Sequence, residues 1–150
     1  NCYDEANGGV YWSCDYTGKP QDTTKHTYNQ AFAIYALSAY YRLTGNPEAL
    51  QTARQLFQIV EMHCRDAEGY GESYDRFWNP QSNEKLSENG VMAERTMNTL
   101  LHVFEGYSGL YQAAKSPERN CGRCWISGRK KCSIRKNGGR RYSSIGRITV

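Results

Sequence analysis

Three stretches of this chain carry helical periodicity, and the contrast between them limits the fold more than any other feature does. Residues 28–44 are apolar or small nearly all round (Ala31, Phe32, Ala33, Ile34, Tyr35, Ala36, Leu37, Ala39, Tyr40, Tyr41, Leu43), the pattern of a helix covered on every side. Residues 47–64 open on a proline suited to a first helical position. They then put Leu50, Ala53, Leu56, Phe57 and Val60 on one stripe, which predicts an outer, half-solvated helix. Residues 92–114 are largely apolar again, through Met97, Leu100, Leu101, Val103, Phe104, Tyr107, Leu110 and Tyr111, and read as a second inner helix. A repeat ties the segments together: YRLTGNPE at residues 41–48 matches YQAAKSPE at 111–118 at an offset of 70, so the repeat unit is a helical hairpin. Gly-rich aromatic loops, DEANGGVYW at 4–12 and RDAEGYGESYDRFW at 65–78, suit short strands or a loop lining a cleft. The expected class is all-α, part of an α/α toroid in which an inner ring of helices is wrapped by an outer one. Such a part leaves apolar helix flanks unburied, because neighbouring repeats cover them.

Charge divides the chain in two. Residues 1–118 carry 9 basic and 15 acidic side chains, and residues 119–150 carry 10 basic and none acidic, so the overall charge of +4 describes neither part. The length of 150 residues fits one domain, here residues 1–118, followed by a basic tail expected to be disordered for want of apolar surface. A mean hydropathy of −0.79 with no apolar run near 18 residues argues against a membrane span. The chain opens on Asn1 with no basic-then-apolar leader to read, and the natural start is expected upstream. Of the cysteines, Cys2, Cys14, Cys64, Cys121, Cys124 and Cys132, three fall in the tail without a histidine or a fourth thiol at zinc spacing. A structural metal site is therefore not expected, and neither is a disulfide framework in a helix-rich chain. Reduced thiols in a cytoplasmic setting are the expectation. The RKK, RK and RR clusters lack a recognisable reader fold, which leaves nucleic-acid binding the weaker reading.

Asn98 and His102 lie four residues apart, on one face of an otherwise apolar helix. They either satisfy each other and nearby backbone within a core, or face a polar cavity. At the offset of 70, Asn98 aligns with Tyr28, so both open inner helices at the same level. His26 reads as a cap or loop residue, and His63 as a solvated cation favoured by a helix C-terminus. The SENG segment at 87–90 and YDRFW at 74–78 could shape a sugar-binding rim, since aromatic faces stack on pyranose C–H surfaces, or form a surface loop around a structural tryptophan.

Long strings of residues 1–118 carry a resemblance: GGVYWSCDYTGKPQDTTKHTYNQAFAIYALSAYYRLTG, YDRFWNP and LSENGVMAERTMNTLLHVFEGYSGLY are similar to successive stretches of the cellobiose 2-epimerases, within the N-acylglucosamine 2-epimerase superfamily. The resemblance implies an (α/α)6 barrel and reversible epimerisation, without metal or cofactor, at C2 of the reducing-end glucose of a β-1,4-linked disaccharide such as cellobiose, giving mannose. It further implies that Tyr28, Asn98 and His102 line the sugar cavity, Asn98 and His102 bonding sugar hydroxyls and Tyr28 packing nearby. No proton-transfer residue is assigned to this chain, since that role falls to two histidines of later inner helices. On this reading the chain is an inactive fragment. An N-acylglucosamine or mannose/glucose 2-epimerase relative, or a non-catalytic helical carbohydrate-binding remnant, is the alternative.

Beyond Glu118 the resemblance stops. Back-translating Arg135–Val150 with free synonymous codons and reading from the third nucleotide admits KKRRQEVFFDREDYS, similar to an RRQEVFFD-like segment of the family. A change of reading frame is therefore expected at the boundary, and the nucleotide sequence tests it.

Overall fold

The computed structural model describes residues 2–83 and 93–115, and helix dominates them. In chain order the elements are β1 (Ser13–Cys14), β2 (Pro20–Asp22), β3 (Lys25–His26), α1 (Thr27–Thr44), α2 (Pro47–His63), β4 (Ser73–Tyr74) and α3 (Met97–Lys115). The strands form two small antiparallel ladders, β1 with β2 and β3 with β4, so the fold is mostly helical rather than wholly so. β4 lies inside the second glycine-rich aromatic loop, one of the two outcomes its composition allows.

The α1–α2 hairpin follows from three adjacent residues. Gly45 takes a left-handed φ of 72° and its N–H closes onto Tyr41 O at 2.7 Å, which ends α1 at little steric cost. Asn46 caps α2 by accepting from the Glu48 N–H at 2.9 Å, and Pro47 takes the first turn, where its missing N–H is not needed. α2 buries Ala49, Ala53, Leu56 and Val60; of the predicted stripe, Ala53, Leu56 and Val60 are buried and Leu50 and Phe57 only partly so, while Ala49 lies outside that stripe. The core gathers Ile34 of α1, Ala53, Leu56 and Val60 of α2, Leu110 of α3, and Cys64, Tyr74 and Trp78. Glu61 joins α2 to α3, its Oε1 accepting from Tyr70 OH at 2.6 Å and Tyr107 OH at 2.9 Å.

α1 and α3 run in the same direction, since their contacts climb together along both: Phe32 to His102, Ala31 to Gly106, Ser38 to Gly109 and Arg42 to Gln112. A Cβ on Gly106 would stand 2.7 Å from Ala31 O, so the helices approach closely only because that side chain is missing. α1 is not covered on every side: Phe32, Tyr35, Tyr40 and Leu43 are exposed, as are Leu100, Leu101, Phe104 and Tyr111 of α3. Bare apolar flanks are what the repeat pattern leads one to expect.

α3 starts at Met97 and not at residue 92. Thr96 Oγ1 accepts from the Thr99 N–H at 3.2 Å, a cap that starts the helix after the polar Glu94 and Arg95. No helix among the described residues is long and apolar enough to cross a membrane, and Cys2, Cys14 and Cys64 are in no disulfide. Residues 84–92 and 116–150 lie outside the described residues. With them lie the SENG segment, the end of the second repeat, and the basic tail with Cys121, Cys124 and Cys132.

Candidate functional site

The N-terminal ends of α1 and α3 are brought level by the strand pair β3–β4, in which Lys25 faces Tyr74 and His26 faces Ser73. Glu72, immediately before β4, links both helices. Its carbonyl accepts from the Thr27 N–H at 3.1 Å at the start of α1. Its buried carboxylate takes the Thr96 N–H and the Thr99 hydroxyl, each at 2.5 Å, at the start of α3. An acceptor aimed at orphan N–H groups is favourable at a helix N-terminus. Thr27 Oγ1 adds a bond to Gly71 O at 2.5 Å.

Tyr28 and His102 meet where these helix ends adjoin. The His102 ring centroid is 4.9 Å from Tyr28 in an edge-on arrangement and 4.5 Å from Phe32, and those two rings also contact each other at 4.8 Å. His102 Nδ1 lies 2.9 Å from Glu105 Oε2. Asn98 is exposed one turn earlier on α3, so it is not a core residue, and His102 is only partly buried. The three residues share one edge of the α1–α3 pair, and Asn98 and His102 there can both exchange hydrogen bonds with a polyhydroxylated ligand beside an aromatic surface. Sequence reasoning missed Phe32, Glu72 and Glu105. Phe32 could have been found, since it aligns with His102 at the same offset of 70 that pairs Tyr28 with Asn98.

A second polar centre fastens the N-terminal loop behind the helices. Lys25 is fully buried and its Nζ donates to Asp4 Oδ2 at 2.9 Å, Gly8 O at 2.6 Å and Arg76 O at 2.8 Å, with the Trp78 ring 4.6 Å away. Burial by itself would raise the Asp4 carboxyl, but hydrogen bonds from Lys25, Asn7 and Tyr11 outweigh it and hold Asp4 well below the usual carboxylate range. Trp78 is buried, takes a φ of 69°, and donates from Nε1 to Asn7 O at 2.9 Å. It is thus the structural tryptophan of the two options and not a rim residue. His63 lies exposed in the last turn of α2, where the sequence places it, and stacks on Trp78 at 5.0 Å and 11°; partial burial, then the Lys25 charge, lower its pKa, against the cation expected. His26 N-caps α1 by backbone position, fully buried, its ring 4.7 Å from Trp12.

Clefts among the described residues lie elsewhere. One of about 580 Å³ is bordered by Glu72, Tyr74, Asn83 and Arg95; an apolar one of about 850 Å³ runs along Phe57, Leu100, Phe104, Tyr107 and Tyr111. Neither of these, nor a third cleft beside Glu61 and Arg65, is lined by Tyr28, Asn98 or His102, which sit on an open edge. Among the described residues, no three His, Cys, Asp or Glu side chains are grouped so as to hold a metal ion.

Comparison with known proteins settles the lineage. The family model described as N-acylglucosamine 2-epimerase (GlcNAc 2-epimerase) matches residues 1–105. The chain belongs to the N-acylglucosamine 2-epimerase family. Within that family it is a homologue of cellobiose 2-epimerases: it is 59% identical to one from Eubacterium cellulosolvens over 114 residues, 76% of this chain and 28% of the relative. Two solved structures agree. A sugar epimerase from a ruminal bacterium superposes with a TM-score of 0.74 at 51% identity, over 84% of this chain and 32% of its own. The cellobiose 2-epimerase of Bacillus thermoamylovorans B4167 gives 0.71 at 48% identity, over 81% and 32%. The chain spans less than a third of the length of these family members.

Proposed function

We propose that this chain forms part of the sugar-cavity wall of a cellobiose 2-epimerase, with α1 and α3 as inner helices and α2 as an outer helix of an (α/α)6 barrel. Residues 1–118 make up the epimerase part, and residues 119–150 are a tail unrelated to the family. The substrate is a β-1,4-linked disaccharide such as cellobiose, handled in the cytoplasm, with no nucleic acid or membrane partner.

Inverting C2 of an aldose requires ring opening, removal of the proton beside the C1 carbonyl, a stabilised enediolate, and reprotonation from the other face. Two opposed acid/base groups with donors around the developing oxyanion supply this chemistry without a metal or cofactor. The resemblance gives that pair to histidines of later inner helices, so His102 is a contact residue and the 150-residue chain binds sugar without turning it over. Asn98 offers both a donor and an acceptor to sugar hydroxyls, His102 offers its Nε2, and Tyr28 supplies an apolar face.

The observation that carries the reading is the meeting of Tyr28 with His102, 4.9 Å between ring centroids and 74 residues apart in sequence, one helical turn from exposed Asn98. Family membership supports reading that edge as a sugar site. A chimera tests it: residues 1–105 of this chain replace the matching segment of the Eubacterium cellulosolvens relative, and conversion of cellobiose to its mannose-ended epimer is followed. The chimera should be active, and Asn98→Ala or His102→Ala should each lower kcat/KM about tenfold, the scale of one ligand hydrogen bond. Unchanged kcat/KM in both variants would overturn the assignment.

A further inference from the structure

His102 touches one charged group on its own helix. Its Nδ1 is 2.9 Å from Oε2 of Glu105, three residues on, a spacing that puts the two side chains side by side. We propose that Glu105 is a positioning residue for sugar binding, holding His102 as its Nδ1–H tautomer so that Nε2 presents a lone pair to a sugar hydroxyl. The proposal rests on the sugar-site reading above and deepens it.

A neutral imidazole carries one hydrogen, and the partner of one nitrogen decides where it sits. A carboxylate accepts and cannot donate, so the nitrogen facing Glu105 keeps the hydrogen and the other is left an acceptor. The ring has little freedom to escape this arrangement, because Tyr28 packs edge-on at 81° and Phe32 lies 4.5 Å away at 39°. The His102 side chain is only 23% exposed, whereas Glu105 is 59% exposed. A pair so open to water contributes little to stability, so its consequence falls on the orientation and tautomer of the ring. The chemistry then becomes selective. Asn98, one turn earlier, can donate from its amide, and His102 can only accept. Together they suit two neighbouring hydroxyls, one accepting from Asn98 and the other donating to His102.

The test is nitrogen NMR of the ¹⁵N-histidine-labelled 150-residue chain at about pH 8, above the range in which an ordinary imidazole holds a second proton. The native chain should show His102 as Nδ1–H. Glu105→Ala removes the acceptor and Glu105→Gln replaces it with a group that can also donate, so both should shift His102 toward Nε2–H while ring contacts with Tyr28 and Phe32 persist. Cellobiose should bind the Glu105→Ala chain roughly threefold to tenfold more weakly, the span of one hydrogen bond. A native His102 already in the Nε2–H form, or the same tautomer in all three chains, would overturn the proposal. So would equal cellobiose affinity in native and Glu105→Ala chains. Cellobiose that leaves His102 of the native chain unperturbed would overturn the sugar-site reading instead, and the tautomer comparison would still judge the role of Glu105.

Discussion

Lys25 has no exposed surface, and all three of its ammonium hydrogens are taken, by Asp4, Gly8 and Arg76. Two of these acceptors are backbone carbonyls on segments 17 and 51 residues away, so one side chain ties the N-terminal loop to the loop before Asn79. Lys25→Met keeps much of the volume but removes the buried cation at 2.9 Å from Asp4, leaving that buried carboxylate only the half-exposed Arg76 guanidinium at 3.7 Å. It should cost about 3–5 kcal/mol in urea unfolding, the range for breaking a buried pair from one side. The pH dependence has a definite sign. Asp4 titrates lower in the folded than in the unfolded chain, so its stabilisation is complete above the unfolded value near 4 and is lost as pH falls from there through the folded value. Unfolding free energy of the native chain should therefore drop below about pH 4, and Asp4→Asn should flatten that drop. Little of this is legible in sequence, because Asp4, Lys25 and Arg76 share no periodicity. Tyr28, Asn98 and His102 could be singled out because helical spacing and the repeat offset relate them. Glu72 could not, its side-chain partners being 24 and 27 residues away.

At the scale of elements, the hairpin was readable from Gly45, Asn46 and Pro47, which act on their own backbone. The start of α3 was not, because apolar Met92 and Ala93 extend the pattern upstream while the Thr96 cap and the Glu72 carboxylate decide where the helix begins. The parallel contact of α1 and α3 depends on Gly106, since a Cβ would meet the Ala31 carbonyl at 2.7 Å and a helix backbone cannot swing aside. Gly106→Ala gains helix propensity of up to about 1 kcal/mol, yet it should destabilise the chain by about 1–3 kcal/mol through overpacking. Measured by chemical denaturation, a stabilised Gly106→Ala would mean that the two helices do not pack so closely. The substitution should also separate His102 from Tyr28 and Phe32, visible as weakened ring-to-ring contacts in NMR.

At the scale of the molecule, the all-round apolar character of α1 and α3 predicts helices covered on every side, whereas flanks of both are bare. It could not say which flanks are bare, because that depends on what packs beside them. The charge boundary at Glu118 leads to a separate prediction. The basic composition of residues 119–150 supplies little apolar surface for a core, so removing them should leave the helical circular dichroism unchanged and shift unfolding by no more than about 0.5 kcal/mol; a larger loss would make the tail part of the fold. The central claim, that the edge formed by Tyr28, Asn98 and His102 binds a disaccharide, is tested most directly by titrating the native chain with cellobiose while its NMR spectrum is followed. Saturable shifts confined to the first two turns of α1 and α3, and abolished by His102→Ala, are the predicted result. Absence of any shift at millimolar cellobiose, or shifts that survive His102→Ala unchanged, would contradict it.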